Sequence, residues 1–544
     1  MKKVIVIGSG IAGMSNAIHL ASYGVKVEIV SPLPSEQSQS VMAAGGINAV
    51  LSDHLGGDSI SSHIDDTLKG GAFLGGQDAV SRLCENAPDI IKYLEKIGVV
   101  FSIDETGRPI RRAFGGQSHN RTCYCGASTG KQIVNGLDME VRRFEAEGLI
   151  RRRLRSFFHS ALIEDGVCYG AIIYNMENDN LEAIYSDALV IATGGQNLLF
   201  GKTTGANSCD GYAAGRLFMQ GVELKNLEFI QYHPTTLRTS NKKMLISEAV
   251  RGEGGRLFYE ENGKRVYFME DKYGPNGNLM TRDVVSREIE SCAKQVYLDI
   301  SFLDLRKIDR LLPEVRDLCM KYKKLDISKE PIPIEPSVHY FMGGIAVKNN
   351  HETNIRNLYA IGECASIYHG ANRLGGNSML GAFYSGMVSA KDIAAREFND
   401  DRPEFNNVLR EEEDNLDKLR QNLGNIPIEK VKAHLAEVMN NKLGIVRSCE
   451  RLEEGIKEID YYLSNADNIF YDSSSSMYTN YSLYEMLILA KATLICANNR
   501  RESRGAHYRS DYPDIKEDDA FSTIISYDDG KFKVRFDKER CYEG

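Results

Sequence analysis

The chain has 544 residues with 42% apolar and 26% charged content, enough for a large core and several domains, which excludes an extended disordered polypeptide. A formal net charge of -9 excludes general nucleic-acid binding, and the basic run Arg151-Arg152-Arg153 with Arg155 reads as a solvated surface patch. Eleven cysteines are scattered without a CxxC pair, a CxxCH haem site or an iron–sulfur cassette, so free thiols in a reducing cytoplasm are expected.

The first element is an apolar strand, Val4-Ile5-Val6-Ile7, followed by Gly8-Ser9-Gly10-Ile11-Ala12-Gly13, a helical-period run through Ala17, Leu20 and Ala21, and a second strand from Val25 to Val30. Met1-Lys2-Lys3 imitates the start of a signal peptide, but the turn at Gly8 leaves no adequate apolar region. Strand, glycine turn, helix and strand in this order bring a pyrophosphate to a helix N-terminus, where free N–H groups and the helix dipole favour negative charge. The acidic residue that usually follows the second strand is replaced by Ser31, and Glu28 lies inside the strand. Further on, Ala188-Leu189-Val190-Ile191-Ala192-Thr193-Gly194-Gly195 reads as a buried strand of the same sheet entering a glycine turn.

From residue 228 to 340 the texture becomes mixed and loop-rich, and Asn357-Leu358-Tyr359-Ala360-Ile361-Gly362-Glu363 then restores a short strand ending at an acid. The pattern predicts an α/β chain: a Rossmann-like dinucleotide-binding domain (1–227 and 341–400) interrupted by a mixed α+β insertion (228–340). A helical domain (401–519) is expected next, from the spacing of Val431 to Ile456 and Tyr484 to Asn499, and then a short hairpin or tail (520–544). No uncharged apolar run approaches the roughly 18 residues of a membrane span, so none is expected.

The most specific segment is His369-Gly370-Ala371-Asn372-Arg373-Leu374-Gly375-Gly376-Asn377-Ser378-Met379-Leu380. It sets one cation among turns that allow close backbone approach, and the planar fork of Arg373 matches a carboxylate bidentately. The chain also carries Phe114-Gly115-Gly116-Gln117-Ser118, Gln231-Tyr232-His233-Pro234-Thr235-Thr236, Ser247-Glu248-Ala249-Val250-Arg251-Gly252-Glu253-Gly254-Gly255, Thr281-Arg282-Asp283, His339-Tyr340-Phe341-Met342-Gly343-Gly344 and Glu502-Ser503-Arg504-Gly505-Ala506-His507. Taken in order, these motifs resemble the flavoprotein family of succinate dehydrogenase, fumarate reductase and L-aspartate oxidase over nearly the whole length.

The resemblance implies FAD extended across the first domain, with the insertion capping it over a four-carbon dicarboxylate. Gly8, Gly10 and Gly13, with Ile11 and Ala12, would hold the pyrophosphate, and Ser31, Ser38, Ala44, Gly45, Gly46, Thr193, Gly194 and Asp210 would line the cofactor. Glu363 would face its hydroxyls, and Ser378, Met379 and Leu380 would present backbone N–H groups to the flavin, stabilising charge on its reduced form. His233, Ser247, His339 and Arg373 would bind the dicarboxylate, with Phe114 and Gln117 in the first substrate loop. Hydride would pass between flavin N5 and one carbon while Arg282 protonates the other, reloaded through Glu248 and Arg251. An arginine is an unusual acid, since it hardly ever gives up its proton, and the relay answers that difficulty.

Two departures narrow the choice. The oxidases usually carry an acid before the paired glycines of the first substrate loop, whereas Phe114 stands there, which favours the succinate/fumarate branch over L-aspartate oxidation. Members of respiratory complexes usually attach FAD to a histidine some six residues before the next glycine pair, and that position is Gln39, so noncovalent FAD and fumarate reduction are expected. With no electron relay of its own, the chain implies a partner, most simply an iron–sulfur subunit, on the cytoplasmic face of a membrane or free in the cytoplasm. The alternative readings are L-aspartate oxidation and a non-catalytic flavin-binding redox subunit.

Overall fold

The computed structural model describes the chain except residues 52–56, 127, 241, 400, 423, 471–476, 517–519 and 539–544; Cys541 and the end of the expected tail lie outside the described residues.

Lys3–Ile7 is the middle strand of a five-stranded parallel sheet, ordered Leu358–Ala360, Ala188–Ile191, Lys3–Ile7, Lys26–Val30 and Ile150–Arg153. Its three inner strands are almost wholly buried, which is why they read as continuous apolar runs instead of alternating ones. The helix Ile11–Ser22 packs on Asn377–Ala395, where Ser15 Oγ donates to Phe383 O (2.8 Å) and Asn16 Nδ2 to Ser389 Oγ (2.9 Å). Segments separated by the whole insertion thus build one nucleotide-binding body.

The basic run is not the solvated patch its composition suggested. Strand pleating turns Arg152 onto Asp138 (2.6 Å) and Glu145 (2.6 Å), and Arg153 onto Glu28 (2.8 Å), leaving Arg155 as its well-exposed paired member against Glu177 (3.5 Å). Glu28 is therefore occupied by an ion pair inside the sheet, and Ser31, not an acid, stands just past the strand end.

The insertion forms a six-stranded antiparallel sheet, ordered Lys243–Leu245, Ile230–Arg238, Ile332–Phe341, Val296–Asp299, Arg256–Glu261 and Lys264–Val266. It has its own core around Leu237, Ile246, Leu257, Val285, Leu298 and Ile332. The helix Arg282–Ser291 lies on this sheet, with Ser286 Oγ donating to Tyr232 O (3.2 Å). Register shifts at Gln231/Tyr232 and between His233 and Thr236 re-aim the side chains of that strand.

Among the described residues, four helices follow: Asn406–Gln421, Ile428–Lys442, Cys449–Ser464 and Met477–Asn499. The spacing from Val431 to Ile456 is divided between two of them: the chain turns at Leu443-Gly444, and Ser448 caps the next helix by accepting from Arg451 N (3.4 Å). Phe521–Asp528 and Lys531–Lys538 form a hairpin that joins Leu224–Lys225, Gly344–Ala346 and Ala365–Ser366 in a five-stranded sheet. Among the described residues, no helix is long and apolar enough to cross a membrane.

Candidate active site

One continuous cavity runs from the glycine turn after the first strand to the charged residues under the insertion, a lining that suits an extended dinucleotide at one end and a small ligand at the other.

At one end the backbone is stripped down to approach a ligand. A Cβ on Gly8 (φ +115°) would stand 2.3 Å from Ala192 O, and one on Gly13 would stand 2.0 Å from Gly8 O, so both sites admit only glycine. The helix Ile11–Ser22 begins at Gly10 without a side-chain cap, and Gly10, Ile11 and Ala12 line the cavity, which suits a pyrophosphate. Ser31 is held by Ser9 (Oγ to Oγ 3.0 Å) and by its own bond to Leu33 O (2.7 Å). Ser38 Oγ and Gln39 Oε1 are buried in the lining without a protein partner, as expected of groups that a cofactor satisfies. Glu363 accepts from Phe341 N (3.1 Å), and burial pushes its carboxyl up to about 7 against the pull of that N–H and of Arg373. These residues fit FAD.

At the other end lies a buried charge cluster. Glu248 Oε2 accepts from Arg282 Nε (2.9 Å) and Nη2 (2.7 Å), and Oε1 accepts from Gly115 N (2.9 Å) and faces Arg251 Nη2 (3.3 Å). Burial opposes ionisation of Glu248, but Arg282 and Arg251 outweigh it and hold the carboxyl at about 2. Arg251 is anchored by donating to Asn278 O (2.6 Å). The segment Ala249–Gly252 is a single helical turn, so Glu248 and Arg251 share one side of it.

His233 and His339 meet edge to face at 5.2 Å, and His339 Nδ1 lies 2.9 Å from Thr204 Oγ1. Burial, and then the neighbouring positive groups, hold both imidazoles well below the usual histidine range, so they are neutral. Arg373 lies over the Tyr340 ring (4.2 Å), and its Nε is buried without a hydrogen-bond partner. Burial, and then Arg282, lower the Arg373 guanidinium to about 9. Ser247 lines the cavity, and its Oγ also accepts from Ala249 N (3.3 Å) at the start of that turn. The Phe114 ring wedges between two glycines; Cβ atoms on Gly45 and Gly375 would stand 3.2 Å and 3.0 Å from it.

The cavity wall thus gathers Gly8, Gly10, Ile11, Ala12, Ser31, Ser38, Ala44, Gly45, Gly46, Thr193, Gly194, Asp210, Glu363, Ser378 and Met379 with Phe114, His233, Ser247, Glu248, Arg282, His339 and Arg373. Gly13, Leu380, Arg251 and Gln117 stand behind it. Gln117 Nε2 is turned to Gly375 O (2.9 Å) and Asn48 Oδ1 (3.0 Å), so it joins loops where a substrate contact was expected. Gln231 was missed: its Oε1 accepts from both Arg282 Nη1 (2.9 Å) and Arg373 Nη2 (3.0 Å). The signal was its position two residues before His233 in the same motif.

Comparison with known proteins agrees with this architecture. A family model described as FAD binding domain matches residues 3–379, and one described as fumarate reductase flavoprotein C-term matches residues 432–541. The succinate dehydrogenase flavoprotein subunit of Bacillus subtilis (strain 168) is 37% identical over 96% of this chain and 93% of its own length. A fumarate reductase (CoM/CoB) subunit of Methanothermobacter marburgensis is 33% identical over 94% and 95%. Among solved structures, a mutant of E. coli quinol fumarate reductase FrdA superposes with a TM-score of 0.91 at 29% identity, covering 100% of this chain and 98% of that one. Fold and site together define an FAD-dependent oxidoreductase. More particularly, the chain belongs to the succinate dehydrogenase/fumarate reductase flavoprotein family, a membership that supports FAD-dependent interconversion of succinate and fumarate.

Proposed function

We propose that the chain is the catalytic flavoprotein subunit of a fumarate reductase or succinate dehydrogenase, with noncovalent FAD and with fumarate reduction favoured. The observation that carries this reading is the Arg282–Glu248–Arg251 chain in the cavity that also contains Arg373, His233 and His339.

FAD held in the cavity supplies a reversible two-electron hydride donor. The chain's own residues do the rest. Arg373 takes one substrate carboxylate, and its unpartnered Nε is satisfied there. His339 Nδ1 pairs with Thr204 Oγ1 (2.9 Å), which leaves Nε2 as the ring nitrogen available to a substrate carboxylate. Polarising the carboxylate draws density from the alkene, and Arg282 gives its proton to the carbon that does not take hydride. Glu248, bonded to Arg282 Nε and Nη2, relays a proton back to the guanidine, and Arg251 is the next donor along. Phe114 and the buried surroundings exclude water, which strengthens each charge interaction.

Phe114 presents an apolar ring where an ammonium would need an acid, which favours an unsubstituted dicarboxylate over L-aspartate. Under anaerobic conditions fumarate should reoxidise the dithionite-reduced protein, and L-aspartate should leave the oxidised flavin unbleached. Bleaching by aspartate with no response to fumarate would reassign the protein to the oxidases.

Gln39 lines the cavity at the position where the family resemblance would put an attachment histidine. Denaturation followed by desalting should separate all the yellow colour from the protein; colour that stays with the chain contradicts noncovalent binding. Among the described residues, no group of three or more His, Cys, Asp or Glu side chains is placed to hold a metal. The relatives named above are subunits of larger enzymes, and on that ground we assign electron delivery to an iron–sulfur partner, with location in the cytoplasm or at the cytoplasmic face of a membrane through that partner.

A further inference from the structure

We infer that Gln231 is a positioning residue that holds the proton-donating and carboxylate-binding arginines at a fixed separation while leaving both charges available to the substrate. The inference rests on the proposed roles of Arg282 and Arg373.

Gln231 is fully buried and does not line the cavity. Its amide has two acceptor sites and two donor hydrogens, and all four are used. Oε1 accepts from Arg282 Nη1 and Arg373 Nη2, and Nε2 donates to Asn372 Oδ1 (2.8 Å) and Arg373 O (2.7 Å). The orientation is unambiguous, because a guanidinium can only donate. Asn372 Nδ2 in turn donates to Asp283 Oδ1 (2.9 Å), next to Arg282, which closes a ring of hydrogen bonds between the helix Arg282–Ser291 and the turn before Asn377. The ring joins the capping sheet to the nucleotide-binding body at the two residues whose spacing must match a four-carbon dianion.

The residue type matters as much as the geometry. Two guanidiniums sharing one oxygen repel each other, and a carboxylate at 231 would relieve the repulsion at once. It would also neutralise the cations that attract a dianionic substrate. A neutral amide is the group of that shape that bridges both arginines without consuming their charge. Glu248 already balances Arg282 from the other side, so a second anion would leave the cluster with too little positive charge to hold two carboxylates.

Two variants separate the two functions. In the FAD-loaded protein, Gln231→Glu keeps the shape and adds charge. Malonate, a dicarboxylate with no adjacent CH pair to oxidise, should then bind at least about tenfold more weakly by flavin difference spectrum, and the fumarate KM should rise in parallel. Gln231→Met keeps the length and removes the bridge. It should lower kcat at least about tenfold while malonate affinity stays within about threefold. A residue that merely fills space would give both variants one pattern, with FAD content and Tm falling together. Malonate affinity unchanged in Gln231→Glu, or kcat unchanged in Gln231→Met, overturns the inference. Arg282→Ala and Arg373→Ala, measured alongside, separate the cases. If they lose turnover and malonate binding respectively while the Gln231 variants behave as wild type, only this inference fails; if Arg282→Ala still turns over, the reading beneath it fails.

Discussion

Arg373 shows how a single side chain acquires a function from its surroundings. Its guanidinium lies over the Tyr340 ring, shares an acceptor with Arg282 and keeps Nε unpartnered, the opening that the proposed reading fills with a substrate carboxylate. Burial, followed by repulsion from Arg282, brings its ionisation down to about 9, with Tyr340, Glu363 and Glu248 pulling the other way. The lowering makes the cation, and with it dicarboxylate binding, easier to lose at alkaline pH than it would be for an exposed arginine. Malonate dissociation constants measured between pH 7 and 10.5 should therefore be flat near neutrality and rise towards the alkaline end, and a flat profile to pH 10.5 would show that Arg373 stays charged. The Glu248 cluster follows the same logic. A buried ion pair is weak support for stability, since desolvation consumes most of the Coulombic gain. Its position at the cavity wall is better explained by proton transfer than by holding the fold. That Arg282, Glu248, Arg251 and Arg373 would come together was legible through the family motifs that carry them, and the structure brings them to one cluster. Gln231 was not, because its role depends on two partners distant in sequence and on a register shift that no periodicity announces.

At the scale of elements, the glycine turn is the sharpest constraint. Gly13 lies inside the first helix, where a methyl group would meet Gly8 O at 2.0 Å, so the helix can approach the first strand only if this position is bare. Gly13→Ala should be obtained with less than about a tenth of the wild-type FAD content while the capping sheet, with its separate core, remains folded by limited proteolysis. Full FAD content in that variant would show that the turn can relax. The parallel sheet was readable because fully buried strands are apolar runs between turns. The helices after residue 401 were readable in type but not in number, since the break at Leu443-Gly444 is set by a cap at Ser448 and not by a proline. The basic run was misread because composition cannot say that the consecutive residues Arg152 and Arg153, on opposite faces of a strand, each meet acids, Asp138 and Glu145 on one side and Glu28 on the other.

For the whole molecule, the proposed catalytic arrangement depends on the convergence of distant segments. Arg373 and Glu363 come from the returning nucleotide-binding sequence, Arg282, Glu248 and the two histidines from the capping sheet and its flanks, and Phe114 from a loop of the first segment, which Gly115 N ties to Glu248 (2.9 Å). The cap meets the nucleotide-binding body again where Lys243 N donates to Thr203 O (3.2 Å) and Asn372 holds Asp283. Such closure supplies the water exclusion and alignment that hydride and proton transfer to one molecule demand. The decisive measurement is single-turnover reoxidation of the dithionite-reduced, FAD-loaded protein by fumarate, comparing wild type with Arg282→Ala under anaerobic conditions. The account predicts rapid reoxidation of the wild type and a loss on the order of 10²–10⁴-fold in the variant, the scale of a removed general acid, with malonate still perturbing its flavin spectrum. Reoxidation of the variant at a rate close to wild type would contradict the assignment of Arg282 as the proton donor.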